Sequence, residues 1–310
     1  MKKAIVTGAS GFIGSYLVKE LVENNYEVLA IVRENTSNMN RLKDFSNIEI
    51  VNCNLDNLNI INETTNKTYD YFFHFAWDGV SGDMQTDYDL QVSNISNTLL
   101  ALDVAKKLGC KRFIAAGSIQ EIECTKEMAE EKEVSNQGNA YKISKMTAHY
   151  YSKLKASKVG IDFLWPLLTN TYGPGEVSSR LINTIIRKLI DGKEPALTKA
   201  DQLYDFIYIT DAARAYRYIA ERGISYKNYI IGSGRAIPLK EYLLELKEIV
   251  NPNINLGFGK YEYNGIYLSK DDLSTVQLSK DTEFKTEISF TDGIQRTMKW
   301  INESIKSSSV

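Results

Sequence analysis

Tyr141 and Lys145 stand four residues apart in Tyr141-Lys142-Ile143-Ser144-Lys145, which puts both side chains on one face of a helix, a turn apart. A phenol with a reference pKa of about 10 is a poor proton-transfer group near neutral pH. An ammonium one turn away stabilises the phenolate, so the pair suits general acid–base chemistry. Tyr and Lys at this spacing are common in a chain with 19 tyrosines, so the pair gains weight only beside other signals. Ser118 is one of them. It follows the apolar run Phe113-Ile114-Ala115-Ala116, at the carboxyl edge where parallel sheets bind ligands. A hydroxyl there can hydrogen-bond an oxygen whose carbon gains or loses hydride; a turn-capping serine is the plainer alternative.

The strongest stretch is Thr7-Gly8-Ala9-Ser10-Gly11-Phe12-Ile13-Gly14. It follows a short apolar run (Ala4, Ile5, Val6) and turns into a helix opening at Phe12, with Leu17, Val18, Leu21 and Val22 on its apolar side. Gly8 suits a sharp turn, Gly11 the close approach of a pyrophosphate, and Gly14 close helix–strand packing. The helix start aims N–H groups and partial positive charge at a diphosphate. Strand, glycine loop and helix at the head of a βαβ unit point to dinucleotide binding. With a nicotinamide cofactor bound, Lys145 could also hydrogen-bond its ribose.

The elements that must position these residues alternate. Strands are expected over Glu27–Val32, Ile48–Asn52, Tyr71–Phe75, Phe113–Ala116 and Asp162–Leu167, with long helices over about Tyr88–Leu108 and Ala140–Ser157 ending at Gly109 and near Gly160. Such alternation predicts an α/β fold with a doubly wound parallel (Rossmann) sheet. The second half predicts a smaller C-terminal α/β lobe. It has a helix over Ser178–Asp191, a strand over Asp205–Tyr208, a Thr210-capped helix to Glu221, and a strand over Tyr229–Ile231. A helix follows Pro238, and a last one carries Ile294, Met298, Ile301 and Ile305; the tail Ser307–Val310 reads as disordered. The expected division is a dinucleotide-binding domain over 1–168, with a return segment near 205–231, and a lobe over 169–310.

Composition narrows the class. The 310 residues are 43% hydrophobic and 25% charged, with net charge −2, ordinary for a globular chain and without support for nucleic-acid or membrane partners. No apolar run approaches bilayer length, and Met1-Lys2-Lys3 leads straight into the first strand, so a cytoplasmic protein is expected. Cys53, Cys110 and Cys124 show neither disulfide nor zinc spacing, and no metal site is expected.

Together, TGASGFIG, Ser118, YKISK, Asn170-Thr171-Tyr172-Gly173-Pro174 and DFIYITD (Asp205–Asp211) resemble the extended short-chain dehydrogenase/reductase family, in its nucleotide-sugar branch of epimerases, dehydratases and 4-ketoreductases. The resemblance spans nearly the whole chain. It implies a cofactor in the first domain, a nucleoside-diphosphate sugar in the second, and Ser118–Tyr141–Lys145 chemistry at their junction, with Gly8, Ser10, Gly11, Phe12, Ile13 and Gly14 on the cofactor diphosphate. It further implies Asn54 and Leu55 at the adenine, Ala76, Trp77 and Leu168 along the cofactor, and Asn94 supporting the active site, a helix-surface Asn being the alternative. Asp78 and Ser81, on the loop after the fourth strand, and Asn170 become sugar contacts. His74 reads as a packed structural residue, and Tyr261–Tyr267 as lobe packing or a nucleobase stack. A homodimer through the two long helices is implied.

Departures from the family pattern narrow the reaction. Sugar dehydratases carry Asp-Glu directly after the Ser/Thr; here stand Ile119 and Gln120, with Glu121 one position late, which argues against 4,6-dehydration. The usual arginines are replaced by Leu167 and Tyr204; Arg180 is a possible substitute, or a solvated helix arginine. Val32 holds the place of the acid that receives a ribose 2′-OH, with Arg33 beside it and Ser37 and Arg41 following. A guanidinium suits a 2′-phosphate, so NADP(H) is preferred over NAD(H). The local GSIQE stretch and the tryptophan-bearing loop are similar to CDP-abequose and CDP-paratose synthase-type reductases. The expected function is an NADPH-dependent reductase of a nucleoside-diphosphate 4-keto-(6-deoxy)sugar, with an NAD-dependent 4-epimerase as the alternative and a non-catalytic cofactor sensor as a third reading.

Overall fold

The computed structural model describes residues 1–34, 36, 38–129 and 139–308. Ser37 lies outside them, as do the last two residues of the tail. Ser307 and Ser308, expected to be disordered, continue the final helix.

The apolar runs of the first half become strands, those in the middle of the sheet because they are buried on both faces. They are β1 (Lys2–Thr7), β2 (Tyr26–Val32), β3 (Ile48–Asn52), β4 (Tyr71–His74) and β5 (Arg112–Ala115), with the short β6 (Gly117–Ser118), β7 (Asp162–Leu164) and β8 (Leu167–Leu168). Between them run α1 (Phe12–Glu23), the single turn α2 (Ile61–Thr64), α3 (Tyr88–Lys107), α4 (Gln120–Ala129) and α5 (Asn139–Val159). The main sheet has the order β3-β2-β1-β4-β5-β7, every pair parallel. Strand order reverses between β1 and β4, so their carboxyl ends form the crevice where such sheets take ligands. Across the middle, Phe72 stacks on Phe113 at 5.4 Å and Phe113 on Phe163 at 6.4 Å.

These elements belong to one compact unit, residues Met1–Leu168 with Ala213–Ile230 and Gln277–Phe284. A second unit comprises Thr169–Ala212, Ile231–Val276 and Lys285–Val310. The later elements are β9 (Asn170–Tyr172), α6 (Leu181–Ile190), β10 (Leu203–Tyr204), β11 (Phe206–Tyr208), α7 (Ile209–Arg222), β12 (Ile230–Ile231), β13 (Ile237–Pro238), α8 (Leu239–Val250), α9 (Val276–Thr282) and α10 (Phe290–Ser308). In the second unit β9 pairs parallel with β11, and β10 antiparallel with β13. Its core is aromatic: Phe206 meets Tyr242 at 5.0 Å, and Phe290 meets Tyr242 at 4.7 Å and Tyr172 at 5.4 Å.

Several expected elements differ. The strand expected over Asp162–Leu167 breaks, because Pro166 offers no N–H and the chain leaves β5 to pair β8 with β6. Gly117 permits this shift: a Cβ there would stand 2.6 Å from the Trp165 ring. The helix expected from Ser178 starts at Leu181, leaving Arg180 at its N-cap rather than on the helix. Thr210 lies inside α7, which begins at Ile209. Helix α4, directly after Ser118, was not expected.

Candidate active site

The glycine loop follows β1 at the sheet's switch point. Gly8 sits at φ +67°, a conformation that side chains oppose, and a Cβ there would stand 2.8 Å from the Ala76 nitrogen. A Cβ at Gly14 would run into the Gly8 carbonyl, which is why helix and loop can pack so tightly. Gly11 caps α1 without any side-chain hydrogen bond, so the first-turn N–H groups around Phe12 and Ile13 face outward for an anion. This cradle fits a dinucleotide diphosphate. Ser10 is buried, and its carbonyl accepts from Arg41 Nη1 at 3.4 Å. Asn54 and Leu55, following β3, open a short 3-10 turn with Leu55 buried. Arg33, exposed after β2, is engaged by the Asp78 carboxylate at 2.8 Å. The two residues expected at opposite ends of the ligands therefore meet each other.

A hydrogen-bond chain fixes the loop after β4. Thr7 Oγ1 accepts from the Phe75 and Ala76 N–H groups at 3.2 and 3.3 Å. Its proton therefore goes to His74 Nδ1 at 2.9 Å, while Nε2 reaches Thr98 Oγ1 at 3.2 Å, and that hydroxyl donates to the Asn94 carbonyl. Burial holds the His74 imidazole down at about 3, so it stays neutral and structural. Asn94 is buried, not on the helix surface: its Oδ1 accepts from the Asp78 N–H at 3.0 Å and its amide donates to the Asp78 carbonyl at 2.9 Å. Gln91 does the same one turn earlier, accepting from Trp77 Nε1 at 2.9 Å and donating to the Gly79 and Met84 carbonyls. Ser81 ends this loop half-buried, with no side-chain cap bond.

Helix α5 brings Tyr141 and Lys145 beneath Trp77. The Lys145 ammonium lies 3.6 Å from the centre of the Trp77 ring and 5.9 Å from that of Tyr141, and it donates to the Ala116 carbonyl at 3.0 Å. Desolvation pulls the Lys145 amine down to about 7, opposed by the negative charge of Glu121. Tyr141 is buried, and its ring meets Trp77 edge-on at 6.1 Å. Ser118 pairs in register with Leu168, and its hydroxyl accepts from the Gln120 N–H at 3.2 Å, leaving its proton available to donate. Asn170 and Arg180 belong to the second unit; Asn170 lies in β9, half-buried, and Arg180 is exposed, 3.6 Å from Glu176.

Three residues around Ser118 have no site role in the sequence reading. Glu121 Oε1 accepts from the Ser118 N–H and from Trp165 Nε1, both at 3.0 Å, and its Oε2 stands 2.9 Å from His149 Nδ1. His149 in turn lies flat on Trp165 at 5.0 Å. The usable sequence signals were polar residues at helical spacing: His149 four after Lys145, and Gln91, Asn94 and Thr98 along one face of α3. The acids of DFIYITD are structural: Asp205 accepts from the Ser233 and Gly234 N–H groups, and Asp211 from those of Glu287 and Ile288. Among the described residues, no group of three His, Cys, Asp or Glu could hold a metal ion.

A family model described as the NAD dependent epimerase/dehydratase family matches residues 4–232. The CDP-abequose synthase of Salmonella typhimurium is 27% identical over 259 residues, covering 80% of this chain and 81% of its own. The solved structure of UDP-N-acetylglucosamine 4-epimerase from Methanobrevibacter ruminantium with UDP-N-acetylmuramic acid matches with a TM-score of 0.82 at 23% identity, over 98% of this chain and 99% of that one. UDP-glucuronic acid 4-epimerase from Bacillus cereus, solved with UDP-glucuronic acid and NAD, matches at 0.77 and 20% identity, over 97% and 99%. At such identities the solved structures speak to the fold alone.

Proposed function

This chain belongs to the NAD dependent epimerase/dehydratase family, and from that premise we propose that it reduces a nucleoside-diphosphate 4-keto-(6-deoxy)sugar with NADPH. When bound, the reduced nicotinamide supplies the hydride to the keto carbon. Tyr141 donates the proton to the developing alkoxide, Ser118 holds that oxygen, and Lys145 steadies the tyrosinate and the cofactor ribose. Asn94 and Gln91 hold the loop carrying Trp77 and Asp78. The second unit, with Asn170 and Arg180, is assigned to the nucleotide sugar.

The observation that carries this reading is the fate of the first carboxylate after Ser118. Glu121 is consumed by the Ser118 N–H, Trp165 and His149, Glu123 in the same turn faces Lys142 Nζ at 3.4 Å, and Ile119 is apolar, so neither acid of the first turn of α4 is placed to eliminate water. Hydride transfer without dehydration remains. Incubation with NADPH and a panel of nucleoside-diphosphate 4-keto sugars should oxidise NADPH one-for-one with one sugar. Interconversion of 4-epimeric sugars with no net cofactor oxidation would instead establish the epimerase.

That second reading draws support from the Arg33–Asp78 contact, since a 2′-phosphate must compete with a carboxylate for the guanidinium. Asp78→Asn separates the two. If Arg33 serves NADPH, the KM for NADPH should fall by up to about fivefold, the scale of one exposed ion pair, while that for NADH stays put. We also assign a homodimer and a cytoplasmic setting, which suits the three buried, unpaired thiols.

A further inference from the structure

Buried charge is expensive unless it is used, and Glu121 is a carboxylate with a side chain only 5% exposed. Each contact points toward the reacting groups. Its Oε1 holds the backbone N–H of Ser118, and the same oxygen holds the indole of Trp165, whose ring centre lies 6.0 Å from Lys145 Nζ. His149 Nδ1 stands 2.9 Å from Oε2, and an N–H there would donate to the carboxylate. His149 is two turns beyond Tyr141 and one beyond Lys145, so all three share one face of α5. Among the described residues, the groups around Lys145 are few. From β4 comes His74, neutral and bonded at both ring nitrogens; from the following loop, the Trp77 ring; from the end of β5, the Ala116 carbonyl. From α5 comes Tyr141, from beyond β7 Trp165, on which His149 stacks, and from α4 the charge of Glu121; Tyr216 of α7 lies in the fields of Tyr141 and Glu121. Among these, Glu121 is the acid.

We infer that Glu121 is a positioning residue for the reaction: its carboxylate, steadied by His149 and Trp165, anchors the Ser118 turn and provides the counter-charge to the Lys145 ammonium. The inference rests on the reading of Ser118, Tyr141 and Lys145 given above. Two separable jobs follow. The hydrogen bonds set where the Ser118 hydroxyl stands, and the charge keeps the buried lysine protonated when hydride moves. Desolvation alone would carry that amine lower than it lies.

Two variants divide the jobs. Glu121→Gln keeps an acceptor for Ser118 and Trp165 and an amide for the other His149 tautomer, but removes the charge. Glu121→Asp keeps the charge and withdraws it by one methylene. Lys145 is followed by NMR of protein labelled at lysine Cε, its resonance assigned by its loss in Lys145→Met. In Glu121→Gln the lysine midpoint should fall on the order of one pH unit, and the alkaline limb of kcat/KM should move down with it. Glu121→Asp should keep the midpoint and lower kcat about tenfold, the scale of a displaced hydrogen-bonding group. An unmoved midpoint in Glu121→Gln, or full kcat in Glu121→Asp, overturns the inference, and either variant alone can do so. The titration needs no turnover. Failure to process any sugar therefore counts against the proposed reaction, and a stationary lysine against the role of Glu121.

Discussion

A phenol, an amine and a hydroxyl make this site, and their neighbours decide what each can do. Tyr141 and Lys145 are buried and flanked by Trp77, with the ammonium over the indole face, a contact worth about 2 kcal/mol when desolvated. Replacing Tyr141 by Phe should cut turnover by about a thousandfold, the scale of losing a proton donor, while cofactor binding stays nearly intact. Equal turnover, measured with cofactor affinity by fluorescence, would count against the assignment. His74 makes a different prediction. Its folded pKa of about 3 lies below the roughly 6.5 of an unfolded histidine. As pH falls through that interval the unfolded chain takes up a proton that the buried ring refuses, so stability is lost from about pH 6.5 downward and is untouched above it. Urea denaturation of His74→Gln should show a shallower loss of stability between pH 7 and about pH 4.5 than the parent chain. Identical slopes would contradict it.

At the scale of elements, the glycine loop and α1 depend on one close approach. Gly14→Ala forces a methyl group into the Gly8 carbonyl, a backbone atom that cannot swing aside. Cofactor affinity should drop at least tenfold and thermal stability with it, as calorimetry and a cofactor titration would show. Unchanged binding would mean the helix start is not the cradle. Helix α3 shows the converse arrangement, a helix whose buried face is polar over its first half. Gln91, Asn94 and Thr98 spend their hydrogen bonds on the loop after β4 and on His74, so its inward face reads as surface until the loop is placed against it.

For the molecule as a whole, the proposed homodimer can be tested on α3 and α5. The two pack on each other, with Lys155 bonded to Asp103 at 2.6 Å, yet they leave Tyr88, Val92, Tyr150, Tyr151 and Leu154 exposed, Leu154 by 69%. Sedimentation should find a dimer that Leu154→Glu weakens at least tenfold, because a carboxylate cannot be buried against apolar side chains. A monomer at high concentration would rule the pairing out.

The sequence by itself determined the parallel sheet, the glycine loop, the two long helices and the spacing of Tyr141 and Lys145. Each follows from local periodicity and from backbone conformations that only particular residues accept. It did not determine the break at Pro166, the start of α4, the burial of Asn94 or the partners of Asp205. Those depend on which distant backbone groups come within hydrogen-bonding reach, and spacing along one chain does not record that. Glu121 is the clearest case. In the sequence it is an acid one position late. In the folded chain, Ser118, Trp165 and His149 close around it from three separate stretches of chain, because a buried carboxylate is tolerated only where donors converge.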